Sequence, residues 1–499
     1  MATFSGSKLD DAEKTPTPAK VAERHPDDTS DDISLDHEVY DSSSVDPVLA
    51  KKMALISSAI GEIGMTPWQW KLFFFNRFGY AVDSPAVDRE FGRPNKRFAG
   101  VALASQIGLL AGAALWGFSA DIIGRKLAFN SSLFICAGFV LIAGGMPNYV
   151  SFAAMVSIYS AGVGGNYVLD ATNLLEFLPV THTWLVTFMS IWWAVGYTIT
   201  GLVAWGFMSN LSCPTKSTPA TCHRDQNWGW RYLHFTAGSI VLALSVVRLL
   251  FIRMQQTPRW LIAQNRDVEA YTVLENLAKR YNRPFTLKLE DFESKGCVLH
   301  TEKSRWSAFR LTKHFGGLFE TRMLTYSTLV IIANWFIIGM VTPLYSVFLP
   351  YYLASRGATI AGLFGPIVAG ILVETKLFGR RGTLAIGTLP TMILNLATST
   401  QIQTPAQNVG VSAAITAASN IYYGTIYAYT PEILPSAHRA TGYGMCVVLN
   451  RVGGITGVLI GSYANVETTA PLFVCASLFG LLVLLSLLLP FETRGKRSN

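Results

Sequence analysis

Ten stretches of this chain run for about 20 residues almost without a charge, and that feature limits the fold more than any other. About 20 apolar residues are what a helix needs to cross the hydrocarbon core of a bilayer, where every backbone polar group must be satisfied without water. The stretches lie near residues 98–120, 127–146, 150–172, 184–208 and 231–254, then, after a polar connection, near 324–347, 383–400, 408–430, 442–464 and 469–490. Soluble domains would alternate apolar with polar positions instead. Composition agrees, since only 14% of the 499 residues are Asp, Glu, Lys or Arg, against roughly 25% in an ordinary soluble chain.

Two further candidates are short. Trp68 to Val82 is interrupted by Lys71, Asn76 and Arg77, and Ala358 to Val373 contains Gly362, Gly365, Pro366 and Gly370. Counting both gives twelve spans in two sets of six, the first and eighth truncated. The predicted organisation is a disordered acidic tail at 1–65, a first transmembrane half at 66–254, a connection at 255–322, a second half at 323–490 and a basic tail at 491–499.

Residues 1–50 hold 12 acids and 4 bases, so the chain's net charge of +8 hides a remainder of about +16. The tail has too little apolar content to fold alone, and it lacks the basic start and apolar stretch of a cleavable signal. Basic residues at Arg125 and Lys126, at Lys376, Arg380 and Arg381, and at Arg494, Lys496 and Arg497 share one side. By the positive-inside bias that side is cytoplasmic, with both termini on it. The loops at 84–97 and 209–231 also carry bases, so the bias is not clean. No interleaving of bases with aromatic residues suggests nucleic acid, and nothing calls for a metal or cofactor.

Cys136, Cys446 and Cys475 lie inside apolar spans and read as small core residues. Cys213 and Cys222 share one outward loop, where an oxidising compartment can close a short bridge. Asn210 opens a glycosylation sequon so near the membrane end of the fifth span that non-use is expected. In the connection, Asp267 is placed to cap a helix with Tyr271, Leu274, Leu277, Ala278 and Tyr281 on one face.

The halves repeat. Glu176-Phe177-Leu178-Pro179 follows the fourth span and Glu432-Ile433-Leu434-Pro435 the tenth, while Gly124-Arg125-Lys126 follows the second and Gly379-Arg380-Arg381 the eighth. Such a duplication is the plan of a transporter whose halves rock around a midplane site. The stretch from Gly117 through Asp121 to Lys126 resembles a signature of the major facilitator superfamily. Gln255-Gln256-Thr257-Pro258-Arg259 and Pro490-Phe491-Glu492-Thr493-Arg494-Gly495 resemble sugar-porter signatures. Gly164-Gly165-Asn166-Tyr167-Val168-Leu169-Asp170 and Tyr429-Thr430-Pro431-Glu432 are similar to the fungal branch related to synaptic-vesicle-glycoprotein and organic-ion transporters. The resemblance covers about residues 62–495 and implies an all-α major facilitator fold that moves a small organic solute by alternating access.

In that reading Gly117, Asp121, Gly124, Arg125, Lys126 and Glu176 form a gating set, echoed by Glu374, Gly379, Arg380, Arg381, Glu432 and Arg439. Gly117 permits close helix approach, Asp121 accepts hydrogen bonds at a helix start and Arg125 pairs across the seam. The bland alternative is that these charges only end helices and set topology. The second copy has Lys376 where the first has Asp121, so its latch is expected to be weaker or to recruit Glu374.

A charge at the bilayer centre costs on the order of 2.5–3.5 kcal/mol, so charges kept inside spans mark the transport path. Asp83 and Asp170 are candidates for proton uptake, because burial disfavours the charged carboxyl; Asn166 lies one turn from Asp170. Arg451 can pair with either or attract an anionic substrate. The alternatives are that Asp83 is interfacial, that Asp170 pairs structurally with a base or caps a bend, and that Arg451 sits in a structural ion pair. Arg248 and His234 are expected to snorkel or face water. Trp192, Trp193 and Tyr197, with Tyr345, Tyr351 and Tyr352, can line a pocket, although membrane-interface belts look the same in sequence.

The expected function is proton-coupled secondary transport of a sugar, organic acid or secondary metabolite, by a monomer in the plasma membrane. The rival is a non-transporting sensor or inactive relative, suggested by the short spans. A membrane enzyme is not expected, because no span carries paired histidines or a nucleophile beside a base.

Overall fold

The computed structural model describes residues 47–75, 85–92, 100–214, 217–252, 255–297, 316, 318–319, 321–348, 361–400, 404–434, 439–463 and 470–494. Among them the structure is helical, without strands. The chain enters through α1 (Pro47–Ile63), α2 (Pro67–Phe75) and α3 (Pro85–Phe91). The first set of long helices is α4 (Gly100–Ile123), α5 (Arg125–Gly144), α6 (Tyr149–Phe177), the pair α7 (Trp184–Phe188) and α8 (Ile191–Asn210), and α9 (Gly229–Ile252). Short helices α10 (Pro258–Ala263), α11 (Asp267–Arg280) and α12 (Leu289–Glu293) occupy the connection. The second set is α13 (Arg322–Phe348), α14 (Phe364–Leu372), α15 (Gly379–Thr400), α16 (Pro405–Ile433), α17 (Arg439–Tyr463) and α18 (Ala470–Leu487).

Eight of these segments are long and apolar enough to cross a membrane: α4, α5, α6, α7 with α8, α9, α13, α17 and α18. Helices α15 and α16 have the length but hold more polar residues, while α2 and α14 have nine residues each. Residues 76–84 and 349–360, on which the expected shortness of the first and eighth spans depends, lie outside the described residues.

Local chemistry sets the breaks. Gly124 separates α4 from α5 at φ 93°, and Gly379 opens α15 at φ 56°, both in the left-handed region that favours glycine. Asn148 caps α6 by accepting from the Ser151 N–H at 2.8 Å, and Thr404 with Gln407 forms a capping box at the start of α16. The halves meet where α4 packs along α17 and where α7 meets α14 and α16. At the first seam a Cβ on Gly444 would stand 3.0 Å from the Gly117 Cα, so glycine on both helices allows the approach.

The segment 47–63 departs from the expected disordered tail. Leu49, Met53, Ile56, Ile60 and Ile63 make one buried face of α1 against Leu261, Ile262, Leu274, Ala278 and Phe292. Asp267 does not cap α11. It is the first helical residue, and its carboxylate accepts from the buried Lys52 ammonium at 2.5 Å, tying the entry helix to the connection. Glu62 adds to that tie by accepting from the Thr286 N–H and hydroxyl at 3.1 and 2.9 Å.

Candidate functional site: two Arg–Glu clusters and an aromatic centre

The repeated motifs meet at one end of the bundle. Helix α6 has 29 residues, about 43 Å at 1.5 Å per residue, so its end projects beyond a hydrocarbon core of about 30 Å. Glu176 near that end is buried between Arg125, the first residue of α5, and Arg439, the first residue of α17, whose Nη1 lies 3.9 Å from Glu176 Oε1. The carboxylate therefore joins a guanidinium from its own half to one from the other.

The second half repeats the plan. Arg380 donates to both oxygens of Glu432, from Nε at 3.1 Å and Nη2 at 2.8 Å, the forked geometry that makes such pairs strong. Its Nη2 also reaches Thr183 of the first half at 3.4 Å. The latch expected to be weaker here is instead reinforced from the C-terminal motif: Thr493 donates to Glu432 at 2.5 Å, and Glu492 accepts the backbone N–H of Arg380 and of Arg381 at 2.8 and 3.2 Å. Glu374 is an electrostatic neighbour of Arg380, and Lys376 is exposed. Gly124 lies against Gln256, which accepts from the Lys126 N–H at 3.5 Å, and Gly379 lies against Glu492. The Asp121 side chain lies outside the description.

Deeper in the bundle, Asp170 on α6 lies 3.6 Å from Arg248 on α9, both buried. This corrects the expectation that Arg248 and His234 face water. Arg248 covers the Phe129 ring, and His234 is buried with Nδ1 2.8 Å from the Trp230 carbonyl. Position along a span does not reveal which face a residue occupies. One turn away from Asp170, Ser132 donates to Asn166 Oδ1 at 3.1 Å.

Between the halves lies an aromatic cluster with a cation beside it, Arg451. Trp193 on α8 stands edge-on to Tyr167 of α6 (ring centroids 5.4 Å) and to Tyr427 of α16 (4.4 Å). Trp335 of α13 closes on Tyr427 at 4.6 Å, and Tyr423 follows along α16. The Arg451 guanidinium of α17 sits 5.0 Å from the Tyr167 ring centroid, and Tyr197 lies within electrostatic reach of Arg451, Tyr167, Tyr423 and Tyr427. Tyr197 is 42% exposed although it faces this cluster. No ion pair of Arg451 with a carboxylate is found among the described residues, and Asp83, one of its two candidate partners, lies outside them. Tyr345 lies beside Ser412, further along α13.

Asp83, Tyr351 and Tyr352 lie outside the described residues. Asn210 ends α8, exposed, and Cys213 is joined to Cys222. Sequence reasoning missed Tyr423, Tyr427 and Trp335. The repeat held the signal for one of them, since Tyr167 and Tyr423 each stand nine residues before the repeated glutamate.

Two sets of membrane helices, joined by duplicated Arg–Glu clusters at one end and an aromatic, cationic centre between them, define a multi-pass membrane carrier. The chain belongs to the major facilitator superfamily, in the family described as sugar (and other) transporter, which matches residues 55–495. It is 38% identical over 500 residues to a major facilitator siderochrome iron transporter of Ceriporiopsis subvermispora, covering 92% of this chain and 94% of the relative. It is 23% identical to the synaptic vesicle 2-related protein of Rattus norvegicus, covering 89% and 82%. Its fold is similar to that of the proton:xylose symporter of E. coli, with a TM-score of 0.57 at 18% identity over 92% of this chain and 98% of that one. The E. coli fucose:proton symporter gives 0.54 at 13% identity over 89% and 98%.

Proposed function

We propose that this transporter is a proton-coupled carrier of a small organic anion with a flat apolar body. The observation that carries the reading is Arg451: a cation at the seam, over an aromatic ring and with no described carboxylate to neutralise it, is electrostatically suited to an incoming anion. Tyr167, Trp193 and Tyr427 offer the ring edges and faces that a planar body stacks against. The buried Asp170–Arg248 pair supports proton coupling, because a carboxyl that gains a proton releases its guanidinium and so distinguishes two states of the carrier. The Arg–Glu clusters act as the cytoplasmic gate, closed here. The protein works as a monomer in the plasma membrane with both termini in the cytosol. A relative's name mentions siderochromes and a fold neighbour's mentions xylose, so these are the rival cargoes.

Quenching of tryptophan fluorescence tests the cargo, since Trp193 and Trp335 flank the centre. Purified protein titrated with benzoate, benzenesulfonate, xylose and a ferric siderochrome is expected to respond to the two aromatic anions. Arg451→Gln should weaken that response about 10- to 100-fold, the equivalent of a charge-assisted hydrogen bond of about 1.5–3 kcal/mol. A xylose response that ignores Arg451→Gln would instead establish a sugar site.

A further inference from the structure

Helix α6 carries a polar stripe that faces into the protein. Asn166, Asp170, Asn173 and Glu176 follow one another at spacings of four, three and three, which places them within an arc of about 120° on one helix face. Asp170, Asn173 and Glu176 are 1%, 0% and 0% exposed, so this face is turned into the protein. Asp170 has Arg248 beside it, and Glu176 has Arg125 and Arg439. Asn173 differs: both its amide nitrogen and its amide oxygen are buried and hydrogen-bond to no described residue. Buried amides without protein partners are rare enough to call for an explanation.

The second half shows that the fold does not require this stripe. The equivalent residues, equally spaced before Glu432, are Tyr422, Ile426 and Tyr429. Helix α16 therefore repeats the gating glutamate and packs apolar or aromatic residues where α6 has Asp170 and Asn173. The gating glutamate of α16 thus stands without a polar stripe before it, and the stripe is particular to the first half.

We propose that Asn173 is a positioning residue that links the buried Asp170–Arg248 pair to the Glu176 gate, making this face of α6 the proton's route to the cytosol. The proposal rests on the proton-coupled reading above. Asp170 and Glu176 are six residues apart, about 9 Å along the axis, beyond the roughly 2.7 Å of a direct O–H···O transfer. Asn173 stands midway. Its amide offers donors and an acceptor, the equipment to hold a water between the two carboxyls. In the step itself, the Asp170 O–H bond breaks, a proton is relayed through that water and a second one in line with it, three hops of about 2.7 Å each, and an O–H bond forms on the Glu176 carboxylate. Asp170 is left as a carboxylate paired with Arg248. Neutral Glu176 loosens its hold on Arg439 from the other half, and the proton then leaves to the cytosol as the gate opens. The charged groups facing the route are Arg248 from α9, Arg125 from α5 and Arg439 from α17.

The test uses the full chain in liposomes with benzenesulfonate, a strong-acid anion that does not carry protons across the lipid as a neutral acid. Counterflow of labelled benzenesulfonate at equal pH reports exchange, and a trapped pH dye reports net proton movement. Asn173→Leu is expected to keep exchange within about twofold while reducing the proton signal about tenfold or more, and Asn173→Ser, which retains a hydrogen-bonding group, to restore it. The proposal is overturned if Asn173→Leu keeps the proton signal, if it loses exchange and proton signal together, or if Asn173→Ser behaves as Asn173→Leu. Exchange without a proton signal in the unaltered chain refutes coupling itself, and the route with it. If the unaltered chain exchanges no benzenesulfonate, the anion reading fails, and the same vesicles given xylose test the route against a sugar.

Discussion

Replacing Arg439 with Gln should loosen the Arg–Glu end of the bundle by an amount the geometry allows us to bound. At 3.9 Å from Glu176, two unit charges attract by about 4 kcal/mol at an effective dielectric constant of 20. Much of that is offset. Glu176 keeps Arg125 after the substitution, Gln still hydrogen-bonds, and the buried guanidinium no longer has to be desolvated, so the net loss is about 1–2 kcal/mol. If the contact exists only while the halves are closed at this end, the closed-to-open ratio falls about 5- to 30-fold. Hydrogen–deuterium exchange in detergent reads this directly. Peptides covering 176–184 and 439–445 should exchange faster by that factor, and those covering 213–231 at the other end should not. Combining the substitution with Glu176→Gln closes a double-mutant cycle, whose coupling term isolates the pair. Unchanged exchange at 176–184, or equal acceleration at 213–231, would refute the idea that this pair fastens one half to the other.

Two further outcomes are expected at the opposite end. Replacing Cys213 and Cys222 with Ser opens a loop of about ten residues, which should remove about 2.5 kcal/mol and lower the melting temperature by several degrees; the unaltered chain should lose the same on reduction, and a melt insensitive to reductant would show that the bridge contributes nothing. Burial raises the pKa of Glu90, but hydrogen bonds from Arg231, Trp230 and Asn227 and the charge of Arg231 outweigh it and hold the carboxyl below 4.5. With the folded value depressed, the contribution of Glu90 is present above about pH 4.5 and is lost as pH falls through that lower value; Glu90→Gln should flatten the acid limb of a melting-versus-pH curve, and an unchanged limb would assign it to other carboxyls.

Eight of the ten long spans are legible in the sequence because they depend on composition along the chain, where uncharged runs mark membrane crossings, and the repeated Gly-Arg motifs and the Glu and Pro three residues apart mark equivalent helix ends. What depends on rotation about a helix axis was harder to read. Arg248 and His234 sit toward the ends of their span, where snorkelling is the ordinary expectation, yet both turn inward, Arg248 to Asp170. Trp193 and Tyr197 fit a pocket and a membrane-interface belt equally well by their letters, and only the contacts with Tyr167 and Tyr427 place Trp193 between the halves. Helix α1 differs from its expected disorder for another physical reason. The acidic charge of residues 1–50 masks the stripe Leu49, Met53, Ile56, Ile60, Ile63, whose helical period is present in the letters.

The departure of the second repeat shows how one physical requirement can be met from another part of the chain. The first repeat has Asp121 before its glycine, and the second has Lys376, which removes a carboxylate where α15 begins. A helix start is a cluster of unpaired N–H groups with partial positive charge, and here it coincides with the buried guanidinium of Arg380, so a nearby anion is favoured. Glu492 supplies it, bonding the N–H groups of Arg380 and Arg381 beside Gly379, where any larger side chain would collide with the carboxylate. Thr493 and Phe491 complete the arrangement, the first donating to Glu432 and the second accepting from the Tyr429 hydroxyl at 2.7 Å. The segment after α18 is thus bonded to both helices of the second Arg–Glu cluster, α15 and α16. It belongs mechanically to that half and must move with it, which gives the Phe-Glu-Thr sequence a structural reason independent of any cargo.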